Sequence, residues 1–470
     1  MGTWSRFRLC SLSLYGVLLA GLPAAAGTVP LASTPPMGWN SWDSYGQTIT
    51  EAQFMANAGW MAKHLKRFGW QYVVVDEGWF ISNPESDPKD YKLLLSDDGR
   101  FLPATGRFPS AANNAGFAPL ADSIHSLGLK FGIHILRGIP RDAVGKNLRI
   151  ADSSYHAPDA ADQSDTCPWN AYNYGVKNSE AGQAYYDSIM KLYATWHVDF
   201  VKVDCIADHP YKPDEIRMIA NAIKKTGRPI VLSLSPGPTA LDHAEEVAKY
   251  AEMWRICDDF WDHWGLWEKH DWSQSLHQQF ATTAKWASHV APGNWPDADM
   301  LPLGHLGPHP GDGEVRETKF TKDEQRTMMT LWSIFRSPLM MGGDLPSSDE
   351  WTTSLLTNPE VIAVDQHSHE NRAVITTENT AVWLARRGEY QMSEGRVSEG
   401  RGGNPNYYLA VFNIGDSEQT IHYEWKDLGL KGARYRVRSL WERKNTGSAR
   451  SLTVTLRPHA SALYQLSGRQ

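Results

Sequence analysis

Short runs of β-branched and aromatic residues alternate with stretches of helical periodicity along the first three quarters of the chain. Strands that alternate with helices form parallel βαβ units, and about eight such units over roughly 340 residues suit a (β/α)8 barrel with insertions. A doubly wound sheet is the alternative, but the sequence contains neither a G-x-G-x-x-G fingerprint nor a P-loop. The alternation therefore predicts an α/β fold built on a (β/α)8 TIM barrel.

The barrel segments can be placed approximately from their patterns. A first strand is expected to end at Trp42, and further strands are expected at 71–76, 129–135, 200–204, 229–234, 253–257 and 337–341. Apolar residues at helical spacing predict helices at 50–68, 118–127, 180–196, 215–225, 240–250, 271–286 and 322–335.

From about residue 366 the alternation stops. The remaining chain carries short strand patterns without intervening helices, which predicts an antiparallel C-terminal β-sandwich domain. A polar, Gly-rich tract at 393–406 repeats Ser-Glu-Gly-Arg and is expected to be a mobile hairpin tip. The predicted domains are thus a signal peptide at 1–26, a catalytic barrel at 27–365 and the β domain at 366–470.

The first 26 residues have the features of a signal peptide. Two arginines precede an apolar stretch that is too short for a comfortable membrane span, and three consecutive alanines supply a cleavage site. We therefore expect an exported protein, periplasmic or extracellular, in which disulfides can form. Once the leader is removed, three cysteines remain, so at least one thiol stays unpaired in a monomer.

The composition limits the classes of molecule that the protein is expected to bind. The formal net charge of -7 disfavours a nucleic acid, whereas the 20 Trp residues offer flat faces on which sugars can stack. The cysteine spacing matches no zinc pattern. A carbohydrate is the expected partner, and the oligomeric state is left open.

The predicted strand at 200–204 carries two charged residues on one face. A strand alternates faces with a period of two, so Lys202 and Asp204 point the same way. For this strand alone, a structural ion pair and a functional site both remain open. The carboxyl ends of barrel strands form the active-site edge, and further polar or aromatic residues are predicted there. They are Trp42, Asp76, Glu77, Arg255, Asp258, Asp259, Asp297 and Asp299.

Clustered acids could instead bind a metal ion. His134 is the one histidine at these strand ends, and no H-E-x-x-H or EF-hand spacing occurs, so we expect neither a metal nor a cofactor. Paired carboxylates suit glycoside hydrolysis, with one as nucleophile and one as acid/base. Asp204 beside Lys202 should stay ionised, as a nucleophile must. Asp258 and Asp259 are both candidates for the carboxylate that holds a proton.

Six ordered motifs resemble those of glycoside hydrolase family 27, the α-galactosidase and α-N-acetylgalactosaminidase family. They are MGWNSW (37–42), YVVVDEGW (72–79), FVKVD (200–204), WRICDDFWDHW (254–264), NWPDADM (294–300) and SPLMMGGDL (337–345). The likeness extends from about residue 33 to 367. It implies a (β/α)8 barrel, a C-terminal β domain and a retaining double displacement.

The resemblance also implies roles for single residues. Asp204 matches the nucleophile, and Asp259 matches the acid/base, four residues after the Arg of the W-R motif, which makes Asp258 a structural neighbour. Cys167 matches a cysteine of the sugar-facing loop, whose usual disulfide partner corresponds to Ile206 here. The positions that match sugar-binding residues are Trp42, Asp76, Lys202, Arg255 and Asp299.

Three departures from the family pattern bear on the substrate. Glu77 replaces an Asp, and its extra methylene moves the carboxylate about 1.5 Å toward the sugar, which could crowd a C6 hydroxymethyl group. His134 replaces a Tyr. The turn that contains Ser235 differs from the part of the family's pocket that reads the C2 substituent. We still expect all three residues to contact substrate.

The predicted function is hydrolysis of terminal α-D-galactosyl residues. The crowding by Glu77 makes β-L-arabinopyranosidase the alternative within the family, because this pentopyranose otherwise matches α-galactose in stereochemistry. An α-N-acetylgalactosaminidase is the third member of this set. A lectin-like barrel that binds sugar without turnover is the alternative of another class, and the presence of both Asp204 and Asp259 disfavours it.

Overall fold

The structure is a computed structural model that describes residues 1–2, 30–266, 273–388, 392–393, 396–397 and 406–468. Most of the predicted signal peptide, most of the predicted hairpin tip and the start of the helix predicted at 271–286 lie outside these residues. Export and the mobile tip therefore stay predictions. Within the described ranges, no helix is long and apolar enough to cross a membrane.

Eight parallel strands curl into one sheet that forms the predicted barrel. Its order is β7-β6-β5-β4-β3-β2-β1-β8 in the labels below. Leu301, just after β7, closes the circle, because its N–H donates to the Met340 carbonyl of β8 over 2.8 Å. The strands are β1 (Met37–Asn40), β2 (Tyr72–Val75), β3 (Lys130–Leu136), β4 (Phe200–Asp204), β5 (Val231–Leu234), β6 (Met253–Arg255), β7 (Trp295–Asp297) and β8 (Leu339–Met341).

Helices follow the strands and cover the outside of the barrel. Several begin with a capping box, in which the side chain of a Thr or Ser accepts the N–H three residues on, as in Thr50 with Gln53. They are α1 (Glu51–His64), α2 (Ala118–Ser126), α3 (Glu180–Thr195), α4 (Pro213–Thr226), α5 (Ala244–Tyr250), α6 (Leu276–Trp286), α7 (Lys322–Phe335), α8 (Glu350–Leu356) and α9 (Pro359–Gln366).

A small three-stranded sheet lies in the long connection between β3 and α3. Its strands are Ile139–Pro140, Ala161–Thr166 and Asn173–Val176, with the last in the middle. The loop between the second and third strands spans residues 167–172, and we call it the clamp loop. Because both ends of the clamp loop are fixed in this sheet, its side chains can be held over the barrel mouth.

The C-terminal domain is two packed antiparallel sheets, as predicted. The larger sheet has the order β9-β10-β11-β16-β13-β14, and β12 pairs with β15 in the smaller one. The last barrel helix ends at Gln366, and the first strand of this domain begins at Ser368, against a predicted boundary at 365/366. The strands are β9 (Ser368–Thr376), β10 (Thr380–Arg387), β11 (Asn406–Asn413), β12 (Gln419–Glu424), β13 (Tyr435–Ser439), β14 (Lys444–Ala449), β15 (Ser451–Leu456) and β16 (Ser461–Gly468).

Strand β10 shows how the larger sheet of the β domain packs on the barrel. Its alternate residues Ala381, Trp383 and Ala385 belong to the hydrophobic core of the barrel, whereas Val382 and Leu384 belong to the core of the β domain. Successive residues of a strand point to opposite faces, so one face of β10 packs into the barrel core and the other packs into the core of the β domain. The β domain is therefore a cover fixed to the barrel through buried apolar contacts.

Candidate active site

The predicted site residues meet at the carboxyl ends of the barrel strands, around one cavity of about 810 Å³. Cys167 and Asp297 are the exceptions among them, since both are buried without lining the cavity. Those that line it are Trp42, Asp76, Glu77, His134, Lys202, Asp204, Ser235, Arg255, Asp259 and Asp299, together with Asp258.

Asp204 ends β4, and several groups that stabilise negative charge surround its carboxylate. Trp169 Nε1 donates to Oδ2 over 3.3 Å, and Ser235 Oγ donates to Oδ1 over 3.3 Å. His134 Nε2 lies 3.8 Å from Oδ2. Burial alone would raise the pKa of Asp204, but His134, with a smaller effect from Lys202, outweighs burial and lowers it. This carboxylate is ionised at neutral pH.

Lys202 does not pair with Asp204 as the strand pattern suggested. Its ammonium instead donates to Asp76 Oδ2 at the end of β2 over 2.8 Å, and Asn40 Nδ2 donates to the same oxygen over 2.7 Å. Burial opposes ionisation of Asp76, but Lys202 and His134 overcome it and hold the pKa of Asp76 well below its ordinary value. The two residues form a fixed ion pair in the cavity wall, with Asp76 buried and Lys202 partly exposed.

Glu77 follows Asp76 and is held by the clamp loop. Asn170 Nδ2 donates to Glu77 Oε1 over 2.5 Å. Burial is the main cause that raises the pKa of Glu77, and the negative charges of Asp204 and Asp76 add to it. Its carboxyl group therefore holds a proton more readily than that of Asp76.

Arg255 ends β6 and joins two carboxylates on the far side of the cavity. One terminal nitrogen lies 2.8 Å from Asp299 Oδ2 and 3.0 Å from Asp259 Oδ1. Asp299 has a left-handed backbone with φ of 82°, and its carboxylate accepts the N–H groups of Phe260 and Met300. These contacts hold a strained backbone in place, as is common at functional sites.

Asp258 and Asp259 differ in surroundings although both line the cavity. Burial raises the pKa of Asp258 to about 6. The Asp259 side chain is 45% exposed and is bonded to Arg255. The geometry alone therefore admits either residue as a proton donor.

Trp42 does not end the first strand as expected, because β1 stops at Asn40. Trp42 begins a one-turn helix, Trp42–Tyr45, and its N–H donates to Asn40 Oδ1 over 2.9 Å. Gly311 lies against the indole, where a Cβ would be 2.4 Å from Trp42 Nε1. The missing side chain at 311 leaves room for the indole in the cavity wall.

A disulfide joins Cys167 at the start of the clamp loop to Cys205, the residue after Asp204. The resemblance placed the partner position at Ile206, so the structure corrects it by one residue. Cys205 has a left-handed backbone with φ of 61°, and its carbonyl accepts Arg137 Nε over 2.6 Å. Cys257 is the unpaired thiol among the described residues, and it is buried.

Three contacts were not predicted from the sequence: Asn40 on Asp76, Asn170 on Glu77 and Trp169 on Asp204. Asn40 lies inside the MGWNSW motif, and the other two follow Cys167, so motif membership and the neighbouring cysteine were the available signals. Among the described residues, no set of three or more His, Cys, Asp or Glu side chains is arranged to hold a metal ion.

Known proteins resemble this chain over nearly its whole length. A family profile described as α-galactosidase A matches residues 174–367, and one described as the α-galactosidase C-terminal β-sandwich domain matches residues 388–466. An α-galactosidase from Cyamopsis tetragonoloba is 27% identical over 93% of this chain and 87% of its own length.

Solved structures also resemble this chain over nearly its whole length. A family 27 β-L-arabinopyranosidase from Geobacillus stearothermophilus is 48% identical, with a TM-score of 0.86, over 93% of this chain and 97% of its own. A Bacillus halodurans protein provisionally described as an α-N-acetylgalactosaminidase is 42% identical, with a TM-score of 0.79, over 94% of this chain and 100% of its own. The chain belongs to glycoside hydrolase family 27.

Proposed function

We propose that the protein is a retaining exo-glycosidase that hydrolyses terminal α-D-galactosides. The observation that carries this proposal is Asp204, a carboxylate held ionised by His134 in a cavity that also contains Asp259. Retaining glycosidases use such a pair, one as nucleophile and the other as acid/base. The α-galactosidase relative from Cyamopsis tetragonoloba supports the choice of sugar.

In the first displacement, Asp204 attacks the anomeric carbon while Asp259 protonates the leaving oxygen. The bond to the leaving group breaks, and an ester between the sugar and Asp204 forms. In the second displacement, Asp259 takes a proton from water, the water oxygen attacks the same carbon, and the Asp204 ester breaks. Each proton that leaves Asp259 is replaced, so both carboxylates return to their starting state.

The other polar residues of the cavity bind the sugar in this proposal. The Lys202–Asp76 pair and the Arg255–Asp299 pair present donors and acceptors that are already fixed, so they lose little freedom when hydroxyl groups bind. Trp42 offers an apolar ring face for stacking.

Catalytic roles can be separated by three isosteric substitutions. We expect Asp204→Asn to lose turnover by about a thousandfold or more, because no nucleophile remains. Asp259→Asn should lose most activity on substrates with poor leaving groups, whereas Asp258→Asn should retain much more. Full turnover by the Asp204 variant would contradict the mechanism, and the reverse order of the other two would move the acid/base to Asp258.

A second candidate is β-L-arabinopyranosidase, which Glu77 favours. Its carboxylate lies about one methylene further into the cavity than an Asp carboxylate would, where it crowds a hydroxymethyl group on C5 of the sugar. The 48% identical structure from Geobacillus stearothermophilus is an enzyme of this activity. The 42% identical structure supports the third family activity, α-N-acetylgalactosaminidase.

The deciding experiment compares kcat/KM for nitrophenyl α-D-galactoside and nitrophenyl β-L-arabinopyranoside. Faster hydrolysis of the galactoside supports the main proposal, and faster hydrolysis of the arabinopyranoside supports the second. Measurable binding of both sugars without hydrolysis of either would contradict both and leave a sugar-binding protein.

Glu77→Asp tests the steric explanation directly. Shortening the side chain should raise the galactoside-to-arabinopyranoside ratio of kcat/KM about tenfold. We expect relief of one crowded group to be worth about 1.4 kcal/mol, which corresponds to a factor of ten in rate. An unchanged ratio would show that Glu77 does not discriminate between these sugars.

A further inference from the structure

Asn170 holds the carboxylate of Glu77 in a defined position. The contact between Asn170 Nδ2 and Glu77 Oε1 is 2.5 Å long, and both side chains line the cavity. Asn170 is 8% exposed, so water competes little for this hydrogen bond. Hydrogen bonds to a carboxylate are among the stronger ones in proteins.

The orientation of the Asn170 amide is itself fixed. Its Oδ1 accepts the backbone N–H of Tyr172 over 3.0 Å. Because that donor requires an oxygen, the Asn170 NH2 group must point the other way, toward Glu77. The amide therefore presents a donor and not an acceptor to the carboxylate.

The rest of the clamp loop fixes the position of Asn170 relative to the strands. Cys167 is covalently bonded to Cys205, and Trp169 Nε1 reaches the Asp204 carboxylate over 3.3 Å. The loop is thus attached to the end of β4, while Asn170 extends to Glu77 after β2. Movement of Glu77 would require loss of the Asn170 bond and not simply a shift of the loop.

We propose that Asn170 is a specificity-determining residue that keeps Glu77 directed into the cavity and so slows the hydrolysis of sugars with a hydroxymethyl group on C5 relative to the matching pentopyranosides. This proposal rests on the proposed glycosidase function and assigns a role to a residue outside the predicted site. Asn170 acts through Glu77, which makes it a positioning residue. Its removal should allow the Glu77 side chain to turn aside and admit the larger sugar.

The test uses the full-length enzyme and the two nitrophenyl glycosides. Asn170→Ala is expected to raise the galactoside-to-arabinopyranoside ratio of kcat/KM about tenfold, the effect of one lost hydrogen bond to a carboxylate. Asn170→Asp, which keeps the size but repels Glu77, should shift the ratio in the same direction. Asn178→Ala, at an exposed position, is the matched control and should leave the ratio unchanged.

A ratio of two rates does not depend on the fraction of enzyme that is folded, so partial misfolding of a variant does not obscure the result. The Glu77→Asp background supplies the decisive comparison, because the shorter carboxylate lies about 1.5 Å further from Asn170. There, Asn170→Ala should change the ratio less than twofold.

An unchanged ratio in the parent background, or an equal change in both backgrounds, would overturn the role of Asn170. These outcomes differ from failure of the proposed function, in which the parent enzyme hydrolyses neither glycoside.

Discussion

The charge of Asp204 depends on a histidine that lies 3.8 Å away. His134 is almost fully buried, and burial alone would lower its pKa. The negative charges of Asp76 and Asp204 more than compensate, so the pKa of His134 is raised above its ordinary value and the protonated imidazole is favoured. Lys202, Asp76 and Glu77 are the other charged or titratable neighbours in the cavity wall.

Loss of that cation should appear in the pH profile. In His134→Gln, the pKa of Asp204 rises, because the neighbour that favours the carboxylate form is gone. The acid limb of kcat/KM should therefore move upward by about one pH unit. His422→Gln, at an exposed position in the β domain, is the control. A limb that stays in place would mean that His134 does not control ionisation of the nucleophile.

The site was largely predictable one residue at a time, but its pairings were not. The strand register correctly placed Lys202 and Asp204 on one face, yet Lys202 is long enough to reach Asp76 at the end of β2, two strands away in the sheet. Asn170 and Trp169 lie in the clamp loop, where no periodicity indicates direction. Contacts across the barrel depend on tertiary distance, which one sequence does not contain.

Two helices are shorter than predicted, because a 3-10 turn replaces part of each predicted range. The helix predicted at 50–68 ends at His64, and a 3-10 turn, Lys66–Phe68, continues the chain to Gly69, whose φ is 101°. Leu65 and Phe68 continue the apolar spacing of the helix into this turn, so a prediction from periodicity alone makes the helix too long. The helix predicted at 240–250 begins at Ala244 after a similar turn.

Glu252 links two neighbouring strands at the opposite end of the barrel. It precedes β6, and its carboxylate accepts the N–H of Leu232 in β5 over 2.8 Å. Burial raises the pKa of Glu252 from 4.5 to about 7, although the Leu232 hydrogen bond opposes this. The folded protein therefore binds a proton here at pH values where the unfolded chain has already released it.

This difference makes stability depend on pH with a known sign. The contribution is fully present below the unfolded pKa of 4.5, is lost as the pH rises to about 7 and stays lost above that. Glu252→Gln should remove this loss of stability. At pH 8 its free energy of unfolding should be about 2 kcal/mol higher than that of the parent, and at pH 4 the two should be equal. Urea unfolding at both pH values measures this, with the exposed Glu245→Gln as control. Equal stability at pH 8 would contradict it.

At the scale of the whole molecule, one buried arginine, Arg336, lies where the barrel meets the β domain. Arg336, just after α7, donates to the carbonyls of Asp365 and Ser368 over 2.7 and 2.6 Å, and its guanidinium lies 4.8 Å from the centre of the Trp295 ring. It thus connects the last barrel helices, the start of β9 and strand β7.

Arg336→Met should destabilise both domains together. The side chain keeps its apolar length, but buried carbonyls lose their donors, at a cost of about 3 kcal/mol. Thermal unfolding should show a lower midpoint but still one transition. The face of β10 around Trp383 packs into the barrel core, so neither domain can unfold without exposing apolar surface of the other. Arg450→Met, at an exposed position, should leave the midpoint unchanged. Loss of the β-domain signal in a separate earlier transition would show that the domains unfold independently.

The bond between Cys167 and Cys205 has a practical consequence for anyone who prepares this enzyme. Material from a reducing host compartment would contain molecules whose clamp loop lacks its covalent attachment beside Asp204. Specific activity would then vary from batch to batch with exposure to oxidant, even at constant purity. A thiol titration of each batch would detect such heterogeneity, because the denatured, fully oxidised chain from residue 27 onward should show one reactive group, Cys257.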